Sequence, residues 1–369
     1  MNTKLKIGTW EAVATIGCIS LIPILLTIPT YAVETFGTAT FLHNVYSSIL
    51  TLIVLTIILA LYKNFSEMDI VDISEYVGGK PLKIIWGVLL SIYLFTLCIL
   101  TFSEFTQNLQ NVLFPDAPQE YISILFGIAI IIGLFLGIRG IFRTGSIIAP
   151  IIAIGFIFMF FGLQNEIDLT NFFPIFGNSI SNFWLQGPSR IGRYEGIFFI
   201  LLLVPYVKNY KKVGYSSFFL TAALILPVIF LLVGIPPYPS ITEGYFPIFE
   251  ITRLISFGRF IQRVESIFIL LWLLATLIYL SLTIYFIIQI FQKIFNLQYS
   301  KRLIPIFTIM IIAISALLSS FEVVIKIRNF LFVYISAYIL YIIPIILLLA
   351  ATLKRRHKCK KLIVQNSSS

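Results

Sequence analysis

The sequence predicts an all-α integral membrane protein with about ten transmembrane helices, arranged as a five-plus-five inverted repeat. The prediction rests on hydrophobic content, on ten long apolar segments, and on two interrupted helices in corresponding positions. Of 369 residues, 59% are hydrophobic and 11% are charged, whereas soluble domains carry roughly a quarter charged residues. A mean hydropathy of +0.99 therefore disfavours a soluble enzyme or a nucleic-acid-binding protein, despite the net charge of +10.

A helix that crosses the membrane needs about 20 mostly apolar residues. Ten segments meet this test: about 10–33, 41–62, 84–107, 121–138, 144–163, 194–207, 214–235, 265–292, 303–320 and 328–353. The sixth is short unless it begins within Arg190–Glu195. Glu11 interrupts the first segment, which also exceeds the length of a signal peptide, and this indicates a retained helix.

Lys and Arg residues predict which helix ends face the cytoplasm. With the N-terminus inside, 19 of the 26 basic residues lie in cytoplasmic stretches, and 7, Arg328 among them, lie outside. Both termini are then cytoplasmic. Residues 1–353 form the membrane domain and residues 354–369 a basic tail, whose Lys354–Lys361 cluster is typical of a topology signal and would also attract anionic lipid heads.

Segments one and six carry helix breakers in corresponding places. Pro23 and Pro29 lie in the first, and Gly196 and Pro205 in the sixth. Proline removes a backbone donor, and in lipid the freed carbonyl is tolerated only where protein or a water-filled cavity meets it. Breaks five helices apart indicate an inverted repeat with a ligand site at the breaks. Simple kinking is the alternative.

Several polar residues stand out within apolar segments. Glu104 is an intramembrane carboxylate, and such residues are functional candidates by default. Ser103, Gln107 and Asn108 would form a polar, hydrated stripe with it, unless Glu104 is an interfacial residue at the point where the helix leaves the bilayer. Tyr279 and Thr283 in segment eight lie one turn apart and share a helix face, which faces either a cavity or a neighbouring helix.

Other features point to no catalytic chemistry. The cysteines Cys18, Cys98 and Cys359 have neither disulfide nor metal-site spacing, and no nucleophile–base pattern, phosphate loop or metal cluster occurs. We therefore predict that the protein is not an enzyme and holds no metal and no cofactor.

His43 and Glu195 lie near the ends of their predicted helices, and we expect both at the membrane interface.

The least lipid-like stretch is 236–264, and the spacing of its apolar residues after Pro247 predicts an amphipathic helix on the outer surface. This helix would be a lid, a partner contact or a passive interfacial element.

The chain resembles the spore germination permeases, the membrane-embedded B subunits of Ger-type germinant receptors. The resemblance covers about residues 10–352. It is carried by these residues and motifs: Pro247, Glu250, Arg253, Glu265-Ser266 and Trp272 of the run before helix eight, Leu26-Thr27-Ile28-Pro29, Tyr76-Val77-Gly78-Gly79-Lys80, and Glu195-Gly196 with Pro205.

Membership would place the chain in the amino acid–polyamine–organocation superfamily, with a LeuT-like inverted-repeat core. It implies a complex with an A subunit and a lipoprotein C subunit in the spore inner membrane, and a small germinant such as an amino acid, sugar or nucleoside. The implied site residues lie on helices one, three, six and eight: Ile22, Pro23, Ile24, Leu100, Gly196, Ile197, Phe198, Phe199, Tyr279 and Thr283, with Glu104 on a proton or water path.

The chain departs from the family at helix one, where Ile22-Pro23-Ile24 replaces a frequent Gly-x-Gly. Pro23 removes a backbone amide that would suit a ligand carboxylate, which leaves a different germinant class open. Helix five has no lysine to stand in for a cation. Three functions follow as hypotheses: a germinant sensor, a proton-coupled permease for an amino acid or similar solute, and a structural subunit with a vestigial pocket.

Overall fold

The computed structural model describes residues 6–25, 28–177, 183–184, 188–235, 247–255, 265–298, 300–318 and 320–367. Its α-helices are α1 (Thr9–Leu25), α2 (Ile28–Phe36), α3 (Thr40–Leu61), α4 (Ile70–Leu113), α5 (Gln119–Phe135), α6 (Gly137–Leu163), α7 (Tyr210–Gly234), α8 (Pro247–Thr252), α9 (Glu265–Ile294), α10 (Leu303–Ala316), α11 (Phe321–Phe330) and α12 (Ile343–Ser367). The described chain is helical throughout apart from connecting turns and one isolated β-bridge, as predicted.

Each of the ten predicted spans corresponds to a helix or to a helical segment. Six of the described helical stretches are long and apolar enough to cross a membrane alone: Ala32–Asn64, Ile70–Leu113, Gly137–Glu166, Tyr210–Gly234, Glu265–Ile294 and Tyr338–His357. Segments one, four, six and nine form shorter helices. The chain bends by 115° between α10 and the next helix, so that the ninth and tenth spans meet at a sharp turn.

The sixth span (Pro188–Tyr206) is not a regular α-helix. A 3₁₀ helix runs from Pro188 to Phe199, one α-helical turn follows, and a second 3₁₀ turn contains Pro205. The sixth span therefore begins at Pro188, before the stretch Arg190–Glu195 in which the sequence analysis considered a start. The first span is divided between α1 and α2, although Pro23 itself lies inside α1. The two spans meet again where Ile7 N–H donates to the Tyr206 carbonyl (2.8 Å).

The long helix α4 contains one break, at Gly79 (φ 71°), a left-handed conformation that favours glycine. A short helix therefore precedes the third span. Its N-cap, Asp69, accepts hydrogen bonds from the backbone amides of Val71 and Asp72 (both 3.0 Å). Lys293 near the end of α9 donates to Asp69 and forms a 2.7 Å ion pair with Asp72. This ion pair ties the entry of the third span to the end of the eighth.

The described part of the outer loop contains only the short helix α8, which begins at the predicted Pro247. Residues 236–246 and 256–264 of the predicted loop lie outside the described residues. At the other end of the chain, α12 continues across residue 353, where the sequence predicts the membrane domain to end.

Gly196 in the sixth span generates a stability prediction. A Cβ at this position would lie 2.7 Å from Ser20 Cα and 2.8 Å from Ser20 N, and backbone atoms cannot rotate away. We expect Gly196→Ala to lower the stability of the purified protein by about 1–3 kcal/mol, the usual cost of overpacking. Thermal unfolding in detergent, followed by tryptophan fluorescence, measures the change.

Gly8→Ala is the matched control, because its added Cβ would meet only Glu11 side-chain atoms at ordinary contact distances of 3.4 Å or more. Equal melting temperatures for the two variants would contradict the close approach of the first and sixth spans.

Candidate functional site

The first and sixth spans touch at the centre of the candidate site. Gly196 lies directly against the Ser20 backbone, and Ile22 and Ile197 on the two spans are fully buried. Since proline and 3₁₀ geometry interrupt these spans, their free backbone groups must be covered by protein. Their mutual packing provides that cover and brings two distant parts of the sequence to one place.

Glu195 begins the buried part of the sixth span and is only 3% exposed. Its Oε1 accepts a hydrogen bond from the Tyr279 hydroxyl on α9 (2.9 Å), and Tyr93 on α4 also interacts with the carboxylate. The expectation that Glu195 lies at the interface is thus wrong. The 3₁₀ helix starts six residues earlier than the apolar run, and this carries Glu195 into the bundle.

Glu104 on α4 forms an ion pair with Arg328, with 2.6 Å between Glu104 Oε2 and Arg328 Nε, and both side chains are fully buried. Arg328 also donates to Thr101 Oγ1 (3.0 Å) and lies over the Phe332 ring, 5.8 Å from its centroid. The predicted topology places Arg328 in a loop on the face opposite to the cytoplasm. That assignment is wrong because α11 starts at Phe321, two turns earlier than predicted, which places Arg328 inside the tenth span.

The two carboxylates and the guanidinium form one electrostatic cluster. Arg328 attracts the Glu195 carboxylate, and Glu104 repels it. A charge in a low-dielectric interior is strongly destabilising unless it is compensated. With both carboxylates ionised, one guanidinium compensates only one of them, so the cluster has an excess negative charge that a proton or a cationic group would neutralise.

A cavity of about 20 Å³ lies beside Glu195. Besides Glu195, eight aliphatic side chains and four aromatic ones, Trp86, Tyr93, Phe198 and Phe199, line it. Its volume suffices for about one water molecule. An organic ligand therefore requires the spans around it to move apart.

The predicted site residues fall into two groups. Gly196 to Phe199 and Tyr279 lie together, with the Phe199 and Tyr279 rings 6.4 Å apart. Leu100 instead packs in a separate apolar cluster with Val324 and Leu331, away from the cavity lining.

On helix one, Pro23 is buried beside Ile22, while the side chain of Ile24 lies outside the described residues. On α9, the Thr283 hydroxyl donates back to the Tyr279 carbonyl (2.7 Å) and also interacts with Cys98 on α4. The shared face of Tyr279 and Thr283 is thus directed at the sixth and third spans.

The predicted polar stripe beside Glu104 has a structural role. The Gln107 amide donates to Ser103 Oγ and to the Leu318 carbonyl (both 2.9 Å). Leu318 lies in the turn between α10 and α11, so these residues satisfy a backbone group at a helix end.

His43, near the start of α3, is fully buried and stacks on Phe36, with ring centroids 3.6 Å apart. It thus packs against protein, and its depth in the membrane stays a prediction. Among the described residues, no group of three or more His, Cys, Asp or Glu side chains could hold a metal ion.

Sequence reasoning missed Glu195, Arg328 and Tyr93 as partners. The signal in the sequence that could have found them was the length of the sixth and tenth helices. An earlier start of the sixth and tenth spans would have placed Glu195 and Arg328 at membrane depth, where a charge requires a partner.

The fold is similar to that of a solved transporter. A structure described as the substrate-bound outward-open state of a Na⁺-coupled sialic acid symporter matches with a TM-score of 0.61 and 13% identity, covering 88% of this chain and 76% of that one. Likeness at this identity shows a common LeuT-like fold with interrupted first and sixth spans.

Two sequence comparisons concern the family. Spore germination protein XB of Bacillus anthracis is 23% identical over 207 residues, which cover 54% of this chain and 57% of that protein. A family model described as spore germination protein, a family of spore permeases, matches residues 16–323. Since this match covers most of the chain, the protein is a multi-pass membrane protein that belongs to the spore germination protein family.

Proposed function

We propose that the chain is the integral-membrane subunit of a nutrient germinant receptor and that it binds a small germinant at the membrane midplane to trigger spore germination. One observation carries the proposal: a buried carboxylate, Glu195, held by Tyr279 at the place where the interrupted first and sixth spans meet. In this fold, solute sites lie at such interruptions. The chain catalyses no reaction in this role.

The proposed germinant acts by shifting the packing of the bundle. The cavity beside Glu195 holds about one water molecule, so the germinant must bind a more open arrangement of the spans. A ligand shifts such an equilibrium only through its different affinities for the two arrangements. Binding would thereby stabilise the open arrangement and change the surface that partner subunits contact.

The charges at the site favour a germinant that carries an ammonium group. Arg328 forms its ion pair with Glu104 and only attracts the Glu195 carboxylate from a longer distance, while aromatic rings beside Glu195 provide faces that attract cations. Pro23 has no backbone amide to offer a ligand carboxylate. An amine without a carboxylate therefore fits this site better than a neutral sugar or nucleoside, and better than an amino acid, whose carboxylate would lack that amide.

The proposed complex includes the A and C subunits of the receptor, in the spore inner membrane or the cell membrane. Family membership supports this assignment. The distribution of Lys and Arg supports a topology with both termini in the cytoplasm. The end of the bundle at which α3 ends and α7 begins is then the cytoplasmic end.

A proton-coupled amino acid or small-solute permease is the second candidate. The buried carboxylates and the fold shared with a symporter favour it. Purified protein in liposomes decides between the two. Accumulation of labelled solute under a proton gradient supports the permease, whereas binding without flux supports the receptor.

The receptor proposal is tested by deleting the gene and scoring spore germination, as loss of optical density, with single nutrients. We expect the deletion to abolish the response to at least one amine, while the wild type ignores the matching hydroxyl analogue of that amine. Unchanged responses to all nutrients, in a strain without related genes, would contradict the proposal.

Removal of the Glu195–Tyr279 hydrogen bond should weaken germinant sensing. Tyr279→Phe removes this hydrogen bond, whereas Glu195→Gln keeps an acceptor and removes the negative charge. We expect each variant to raise the germinant concentration for half-maximal germination about tenfold or more, because a hydrogen bond to a charged group contributes about 1.5–3 kcal/mol. Dose–response curves with intact spores measure the shift.

Tyr334→Phe and Glu120→Gln are matched controls, since they make the same chemical changes at exposed positions. Immunoblots of spore membranes verify equal protein levels. A vestigial pocket would leave all four variants with the same dose–response curve.

The Glu104–Arg328 ion pair leads to a separate prediction about stability. Arg328→Gln leaves a buried carboxylate uncompensated, which typically costs about 3–5 kcal/mol, so we expect little protein in the membrane. The double variant with Glu104→Gln and Arg328→Gln removes both charges and should restore abundance. If the double variant is no more abundant than Arg328→Gln alone, the two residues are not coupled.

A further inference from the structure

A groove of about 860 Å³ lies at the cytoplasmic end of the bundle, between the end of α3 and α12. Apolar and basic side chains share its lining: Leu61, Lys63, Leu349, Leu353, Arg356 and His357. None of the residues that line it carries a carboxylate. The volume of the groove is more than forty times that of the cavity beside Glu195. Its charged side chains are basic, whereas the charged side chain of that cavity is a carboxylate.

Two neighbouring side chains tie α12 to the elements beside the groove. Lys354 Nζ donates to the carbonyls of Tyr76 (2.9 Å) and Val77 (3.1 Å). Arg355 Nη1 donates to the Asn64 carbonyl, just beyond α3 (2.8 Å). These bonds fix the spacing between the helix ends, while Arg356 remains exposed to solvent.

The order of side chains along the groove matches the order of parts in a phospholipid. Leu349, Leu353 and Arg356 are spaced i, i+4 and i+7, so they lie on one face of α12. Leu349 and Leu353 are 45% and 56% exposed and lie on the membrane side. Arg356 and Lys63 lie at the ends of the two spans, Ala32–Asn64 and Tyr338–His357, where lipid phosphates are located.

We propose that this groove binds an anionic glycerophospholipid of the cytoplasmic leaflet. Lys63 and Arg356 contact the phosphate, and the acyl chains lie along Leu349 and Leu353. Basic pockets between transmembrane helices on the cytoplasmic side bind anionic head groups in this manner. Basic residues that only set the membrane topology need no particular surroundings. Here the basic residues lie beside a cavity and an apolar wall, which a bound lipid requires.

The site is independent of germinant binding, so its test is a direct binding measurement. The full-length protein is purified in mixed micelles of phosphatidylglycerol and phosphatidylcholine, and native mass spectrometry counts the lipids it retains. We expect the wild type to retain phosphatidylglycerol about tenfold better than phosphatidylcholine. Equal retention of the two lipids by the wild type would overturn the proposal without any variant.

The double variant Lys63→Gln with Arg356→Gln should lose this preference. Lys211→Gln with Lys212→Gln is the matched control, because it removes the same charge at the same end of the bundle, where Tyr62 and Tyr210 pack together, but outside the groove. If the control variant loses the preference equally, general surface charge explains the binding and the groove does not.

Inorganic phosphate distinguishes a lipid from a free anion. We expect millimolar phosphate to leave the retained phosphatidylglycerol in place, because phosphate offers nothing to the apolar wall. Complete displacement of the lipid by phosphate would show a simple anion site and contradict the assignment.

Discussion

The close approach of the first and sixth spans is the constraint on which the site depends. Backbone groups freed by a helix break cannot face lipid, so each interrupted span must be covered by other parts of the protein. Gly196 permits this because a side chain there would collide with the Ser20 backbone. The same contact positions Glu195, the neighbouring residue, to reach Tyr279 on α9.

Around this contact, polar groups connect the spans that line the site. Glu195 and Tyr279 join the sixth span to the eighth, and Glu104 and Arg328 join the third to the tenth. Buried ion pairs contribute little net stability but strongly disfavour arrangements in which one partner is left alone. A solute that competes for these charges would therefore bias how four spans pack against one another. This coupling is what a sensor requires, and it also suits a transporter.

The end of the bundle at which α3 and α9 end is held by different interactions. Lys293 links α9 to Asp69 and Asp72 at the entry of the third span. Lys354 ties α12 to the helical turn before Gly79, and Arg355 ties it to the turn after α3. Helical segments follow one another from the start of α11 to the end of α12, so Arg328 and the groove beside α12 lie along one continuous helical run.

The sequence by itself determined the class of fold, the ten spans, the interruptions in the first and sixth, and the family resemblance, because hydrophobic runs, prolines and motifs are local properties. It also placed Tyr279 and Thr283 on one face. The tertiary structure alone decided which charges meet: Glu195 and Tyr279 are 84 residues apart, and Arg328 lies 227 residues from Thr101. Such pairings depend on where helices start and how they pack, and two extra turns at the start of α11 place Arg328 inside the bundle and not in the predicted loop.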